Sequence, residues 1–175
     1  MAIIRLNTLI SAPLQRCFDL SRSIDMHLAS AASSDEQAIA GVTTGLIGAG
    51  QEVTWRARHF GIWLTLTSRI TAFNPSRHFR DSMVRGPFRR FDHDHFFAHQ
   101  GDATLMTDVF DFESPLGVAG RFVDWLILRR HMQAFLMARN ETLRNVAQSD
   151  DWRRFLTPET GGIPSTPRAA NVSGV

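Results

Sequence analysis

The sequence predicts an α+β fold in which a curved seven-stranded antiparallel sheet wraps around a long C-terminal helix, with two short helices after the first strand. Residues 37–113 alternate apolar and polar side chains with a period of two, as antiparallel strands with one wet face do. Short segments that contain Gly or Pro separate these runs, which favours a meander of hairpins. Residues 118–147 then show helical periodicity without an internal proline.

The first 36 residues predict one strand, two short helices and a loop. Residues 2–10 are rich in Ile and Leu with polar residues between them, which is typical of a strand. We expect Ser11 to cap a helix that has Pro13 in its first turn. A second short helix is expected over residues 25–30, before the loop.

Six further strands are expected in succession. The alternation is clearest where Val53 and Trp55 share one face, and where Leu64 and Leu66 do so in the next run. The predicted strands cover residues 37–42, 51–60, 62–73, 78–85, 87–99 and 104–113.

The C-terminal part divides into a helix and a tail. Thirty helical residues at 118–147 would be about 45 Å long, and the first half of this helix is apolar almost all round, as expected for a helix inside a concave sheet. The helical periodicity ends near residue 148, so we expect a single domain over residues 1–148. Residues 149–175 carry three prolines and a Gly pair and predict a flexible tail. Trp152 and Phe155 are the residues of this tail that could dock on the domain.

The composition limits the classes of function. Hydrophobic residues make up 43% of the 175, and the 13 Phe with no Tyr favour a greasy interior. A net charge of +2 does not indicate nucleic-acid binding. Cys17 is the single cysteine, so no internal disulfide can form. Since apolar runs stay short of the roughly 20 residues of a membrane span and no signal peptide is evident, we expect a cytoplasmic protein.

The order of elements and several local motifs resemble a known superfamily. The order is similar to the helix-grip fold of the START-like superfamily, also called SRPBCC. The local sequence resembles a bacterial subgroup that is often labelled cyclase/dehydrase-like. The motifs that carry this likeness are Phe79-Arg80-Asp81, Gly86-Pro87-Phe88, residues 91–97 (FDHDHFF), residues 104–108 (TLMTD) and residues 114–117 (SPLG).

The resemblance implies a cavity between the sheet and the long helix, of the order of 300–1,000 Å³. It does not imply one set of catalytic residues, because binders and enzymes share this scaffold. It also implies no cofactor and no metal. We expect a small hydrophobic or aromatic ligand as the partner.

His93 and His95 are the sharpest polar feature. Residues two apart in a strand point to the same side, and Phe91 and Phe97 share that side with them. The histidines should therefore point inward, whereas Asp92 and Asp94 should point to solvent. The same parity on neighbouring strands turns Asp81 and Asp108 inward. Buried carboxylates and imidazoles are costly without partners, so at least one Asp–His hydrogen bond is expected.

Four interpretations of this polar group stay open. It can be a hydrogen-bonded network beneath the cavity, a patch that orients a ligand, or a general acid–base pair. A metal site is the fourth, because His-x-His on a strand can chelate and His59 or a carboxylate could complete the set. Catalytic residues stay unassigned. The expected ligand-binding residues are Trp55, His59, Leu66, Asp81, Met83, Phe91, His93, His95, Phe97, Asp108, Phe110, Trp125 and Met132.

Three functions compete at this point. The first is binding or carrying a small hydrophobic ligand in the cavity. The second is an enzyme of the polyketide cyclase/dehydratase type that uses Asp and His residues of the cavity. The third is an interaction module that pairs chains through the apolar stripe of the long helix, and a homodimer fits that interpretation. The Gly-rich segment at 45–50 lacks the Lys and Ser/Thr of a phosphate-binding loop and predicts a mobile hairpin or a loop at the cavity mouth.

Overall fold

A computed structural model of the chain describes residues 2–31, 35–59, 61–113 and 128–156. Of His59 it describes the backbone only. The strands are β1 (Ala2–Ile10), β2 (Gln37–Gly41), β3 (Glu52–His59), β4 (Ile62–Asn74), β5 (His78–Arg85), β6 (Arg90–Gln100) and β7 (Ala103–Glu113). The helices are α1 (Leu14–Ser21), α2 (Ile24–Ser30), α3 (Arg129–Gln148) and α4 (Arg153–Leu156), with a 3₁₀ turn at Asp150–Trp152.

All seven strands form one antiparallel sheet in the order β1-β7-β6-β5-β4-β3-β2. Strands β2 to β7 follow one another as a meander, and β1 closes the far edge by pairing with β7 from Ala2 opposite Phe112 to Ile10 opposite Thr104. Because β1 and β2 occupy opposite edges, the chain between them must cross the sheet, and α1 and α2 lie in that crossing. The predicted fold class is confirmed.

The start of α1 differs from the prediction. The residue at its N-cap is Pro13, which gives no side-chain cap. The backbone N–H of Ser11 donates instead to Oε1 of Gln148 at 2.9 Å, so Ser11 ties the end of β1 to the end of α3. A Ser cap does occur at α2, where Oγ of Ser23 accepts from the backbone N–H of Met26.

Aromatic side chains fill the concave face of the sheet in two clusters. Phe18 of α1 lies at the centre of the first cluster, with edge-on contacts to Phe79 and Phe97 at ring distances of 5.8 and 5.4 Å. Phe110 and Leu136 belong to the second cluster, which lies between β1, β6, β7 and α3. Burial of such side chains stabilises the fold by about 1.5–3 kcal/mol each, and it holds α1 and α3 against the same face.

The C-terminal part extends further than the sequence predicted. Helix α3 ends at Gln148, and residues 118–127 of the predicted helix lie outside the described residues. Beyond it, Trp152 and Phe155 pack against the first core cluster, and the guanidinium of Arg16 lies 4.5 Å from the ring centre of Trp152. Within 149–156, the side chains of Trp152, Phe155 and Leu156 thus pack on the domain where the sequence predicted a flexible tail, and the other residues are exposed. Residues 157–175 lie outside the described part.

Candidate ligand cavity and its polar floor

A cavity of about 140 Å³ lies between the concave face of the sheet and α3. Its volume is below the range implied by the resemblance. Its walls are mostly apolar and come from β3 to β7, from the β5–β6 loop and from α3. The apolar lining residues are Trp55, Ala57, Leu64, Leu66, Pro87, Phe88, Phe91, Phe110, Leu128, Met132, Phe135 and Leu136.

Charged and polar side chains from the sheet, from α2 and from α3 also meet this cavity. They are Asp81 and His93 of the sheet, His27 of α2, the adjoining Glu36, and His131 and Arg139 of α3. A second space of about 40 Å³ is lined by Asp81, His95 and Arg139. We call Asp81, His93, His95 and Asp108 the polar floor.

The strand register explains why these four side chains meet. Asp81 of β5 is paired with His93 of β6, and His95 of β6 is paired with Asp108 of β7. Since alternate residues of a strand share a face, His93 and His95 point inward together and bring both carboxylates beside them. Asp108 is 1% exposed, so it lies beneath the histidines, whereas the side chain of Asp81 keeps 25% of its surface, on the cavity side.

Asp108 is held by three side chains. Its Oδ1 accepts a hydrogen bond from Nε2 of His93 at 3.2 Å, and its Oδ2 accepts one from the amide of Asn140 at 2.6 Å. Nδ1 of His95 is also 2.7 Å from Oδ1, but it lies out of line for a hydrogen bond. The predicted Asp–His hydrogen bond is therefore confirmed, and it forms in the most buried part of the site.

The two imidazoles stand side by side, with ring centres 3.9 Å apart, and each has one nitrogen near each carboxylate. Nδ1 of His93 and Nε2 of His95 lie 3.8 and 3.9 Å from Oδ1 of Asp81. These separations are too long for hydrogen bonds. Oδ1 of Asp81 is buried and has no hydrogen-bond partner among the described residues.

Burial and contacts shift the pKa values of this floor in different directions. Burial raises the pKa of Asp81, although His93 and Arg139 oppose it. Burial also lowers the pKa of His93, as does the neighbouring His95. For Asp108 burial alone would raise the pKa, but the contacts with His93 and His95 outweigh it and place the pKa far below its usual range. The contacts with the two histidines thus favour the ionised form of Asp108, and burial favours the neutral form of His93.

Polar residues of the cavity outside the floor were missed by the sequence analysis. Nε2 of His27 lies 3.1 Å from Glu36, and its ring stacks on Trp55 at 4.0 Å. Arg139 faces the same space, and its buried Nε has no hydrogen-bond partner among the described residues. Arg139 follows Met132 by seven residues and so lies on the same helix face, a spacing that was available in the sequence. His27 and Glu36 carry no comparable signal.

The predicted ligand-binding residues fall into three groups. Seven of them line the cavity: Trp55, Leu66, Asp81, Phe91, His93, Phe110 and Met132. His95 lines the adjoining spaces, Asp108 lies below, Met83 packs on the second core cluster and Phe97 belongs to the first. Trp125 and the side chain of His59 lie outside the described residues.

Asp94, on the outer face of β6, is more buried than the sequence predicted. Asp94 was predicted to point to solvent, and it is only 7% exposed. It lies on the outer face, where Arg80 donates two hydrogen bonds to it at 2.8 and 2.9 Å and His78 contacts it at 2.6 Å. Arg80 and His78 cover the carboxylate of Asp94. The alternation of side chains thus predicted the correct face of the sheet for Asp94 but not its burial.

The fold is shared with solved structures of low sequence identity. TTHA0849 from Thermus thermophilus matches with a TM-score of 0.65 at 15% identity, over 83% of this chain and 99% of that one. The Zhui aromatase/cyclase from Streptomyces sp. R1128 matches with a TM-score of 0.60 at 13% identity, over 83% and 95%. Major latex-like protein 151 from Panax ginseng matches at 0.60 and 14%, over 85% and 98%.

These likenesses define the class of protein by fold. The chain has the helix-grip fold of START-like (SRPBCC) proteins, with the seven-stranded sheet and C-terminal helix that the sequence predicted. No protein-family model and no curated protein matches the sequence. Among the described residues no helix has the length and apolar character that crossing a membrane would need.

Proposed function

We propose that this protein binds a small hydrophobic ligand that carries an acidic or polar head group. The observation that carries the proposal is the cavity between the sheet and α3, which has apolar walls and charged groups at a few positions. Such a distribution is usual for ligand pockets, because apolar surface supplies affinity and a few polar groups orient the ligand.

Arg139 supports an acidic head group. Arg139 lines the cavity, and its Nε is buried without a hydrogen-bond partner among the described residues. A buried N–H without a hydrogen-bond partner is costly. The carboxylate of a ligand would accept a charge-assisted hydrogen bond from it. The apolar body of the ligand would then lie along Phe88, Phe110 and Met132.

Native mass spectrometry of freshly purified protein tests retention of a ligand. An environment-sensitive probe with an anionic group, anilinonaphthalene sulfonate, tests the cavity directly. Met132→Trp fills the cavity and is expected to lower probe affinity at least tenfold. Met137→Trp is its matched control, because Met137 lies on the same helix and is 55% exposed. Equal probe binding by both variants would contradict the proposal.

The role of Arg139 has its own test. Arg139→Met should weaken binding of a medium-chain fatty acid more than binding of the corresponding alcohol, since only the acid offers a charge to the guanidinium. Arg144→Met is the control, because Arg144 pairs with Glu141 on the exposed side of α3. An equal loss for acid and alcohol would show that Arg139 acts through shape alone.

One observation favours a second candidate, an enzyme of the cyclase type. Nε2 of His93 donates to Asp108, so its Nδ1 is left as an acceptor on the cavity side, the arrangement of a general base. One of the similar structures is an aromatase/cyclase. If this protein cyclises a poly-β-ketone, His93→Gln should abolish turnover while probe binding persists. Turnover that survives in His93→Gln would exclude this role.

A further inference from the structure

Three side chains of the polar floor place donor atoms around one point. Asp81, His93 and His95 each offer one ligand atom, and these atoms lie within 4.8 Å of one another. The atoms nearest to Asp81 Oδ1 are Nδ1 of His93 at 3.8 Å and Nε2 of His95 at 3.9 Å. Two ligands on one tetrahedral zinc ion are separated by roughly 3.3 Å, so modest side-chain rotations would close the set.

The orientation of both histidines fits this use. Because Asp108 can only accept hydrogen bonds when ionised, Nε2 of His93 must carry its proton, and the lone pair of Nδ1 is directed to the Asp81 side. Nδ1 of His95, 2.7 Å from the same carboxylate, places its Nε2 on that side as well. Metal-binding histidines usually donate their other N–H to a carboxylate, as His93 does here, which fixes the tautomer and strengthens the ligand.

The carboxylate of Asp81 is a second, independent observation that favours a bound ion over a purely structural network. A network that served only stability would give this carboxylate a hydrogen-bond donor, as it gives Asp108 three contacts. Oδ1 of Asp81 is buried without one among the described residues. A cation bound by this oxygen and the two imidazole nitrogens would satisfy all three atoms at once.

We infer that Asp81, His93 and His95 form a binding site for one divalent transition-metal ion of the zinc type, with Asp108 as the carboxylate that orients His93 by a hydrogen bond and lies beside His95. Two imidazoles and one carboxylate suit Zn²⁺, Fe²⁺ or Co²⁺, whereas Mg²⁺ and Ca²⁺ prefer oxygen ligands only. Three protein ligands leave at least one coordination position open. Since Asp81 and His93 line the cavity, that position faces it, and a cavity ligand with an oxygen donor could occupy it.

The inference departs from the expectation of a metal-free protein and does not depend on the proposed ligand. The test is titration of tag-free, chelator-treated protein with Co²⁺, followed by visible d–d absorption, and then displacement by Zn²⁺ measured by calorimetry. We expect one equivalent of Co²⁺ and a d–d band typical of four or five ligands. Asp81→Asn should weaken Zn²⁺ binding by at least about tenfold.

Asp81→Asn is expected to fold, because it removes a buried charge that has no hydrogen bond at Oδ1. Two controls accompany it: Asp92→Asn removes a carboxylate from the outer face of β6, and His99→Gln removes an exposed histidine from the same strand. Both should bind Zn²⁺ like the unaltered protein. Absence of a d–d band, or Zn²⁺ affinity unchanged in Asp81→Asn, would overturn the inference.

The two proposals fail separately. If the protein binds neither Co²⁺ nor Zn²⁺, it should still bind anilinonaphthalene sulfonate, and Met132→Trp should still weaken that binding. Conversely, a protein that binds Co²⁺ with full stoichiometry but no hydrophobic probe would keep the metal site and refute the ligand cavity.

Discussion

The side-chain amide of Asn140 donates a 2.6 Å hydrogen bond to Oδ2 of Asp108, which ties α3 to β7 in the interior. The same amide lies 3.2 Å from the hydroxyl of Thr8 in β1. A polar residue at this helix position therefore connects three elements around one buried carboxylate. The floor of the cavity is held from both sides, by the sheet and by the helix that covers it.

Asp108→Ala should lower the free energy of unfolding by about 3–5 kcal/mol, because it leaves the amide of Asn140 and the N–H of His93 buried without their acceptor. Asp92→Ala should cost less than about 1 kcal/mol, since Asp92 pairs with Arg90 on the half-exposed outer face. Urea unfolding of both variants measures the difference. Equal, small effects would contradict the central place of Asp108.

Stability should fall as the pH drops below about 6.5 in part because of His27. Burial, and then Arg139, lower the pKa of His27 in the folded state, while Glu36 opposes them. The unfolded chain, with a His pKa of about 6.5, therefore takes up the proton first. The contribution of His27 to the free energy of unfolding is therefore complete above about pH 6.5. It is lost as the pH falls toward the pKa of the folded state, by at most about 1.4 kcal/mol per pH unit.

The variant His27→Gln tests this assignment. Urea midpoints at several pH values between 8 and 5 should decline less steeply for the variant than for the unaltered protein. Identical slopes would show that other groups account for the pH dependence.

The short C-terminal segment should contribute to stability. A chain that ends at residue 149 loses Trp152, Phe155 and Leu156, which pack against the first core cluster. We expect a loss of about 2 kcal/mol or more from that apolar surface. A chain that ends at residue 156 keeps these contacts and is the control. If both chains unfold at the same denaturant concentration, the segment is dispensable as the sequence first suggested.

Gly41 should tolerate alanine far less well than Gly45. Both have a φ of +74°, so the conformational strain of about 1–2 kcal/mol is shared. A Cβ at Gly41 would lie 2.2 Å from the carbonyl oxygen of Glu52 in β3, whereas a Cβ at Gly45 meets nothing within 4 Å. Gly41→Ala should therefore cost about 2 kcal/mol more than Gly45→Ala in thermal or urea unfolding. Similar costs would show that β2 moves aside at this edge.

The sequence by itself determined the order of elements and the direction of the side chains in the sheet. A period of two is a local property of each strand, so Asp81, His93 and Asp108 could be turned inward from parity alone. A meander with short loops also fixes which strands are neighbours. These relations need no knowledge of distant contacts.

Tertiary structure decided everything that depends on packing between distant segments. Trp152, Phe155 and Leu156 pack on a core built in part from α1 and the sheet, so their positions depend on contacts with segments far away in the sequence. Asp94 is covered by side chains of the neighbouring strand. His27 and Arg139 reach the cavity only because α2 and α3 pack over the sheet. The spacing of Asp81, His93 and His95 depends on the register of β5 against β6.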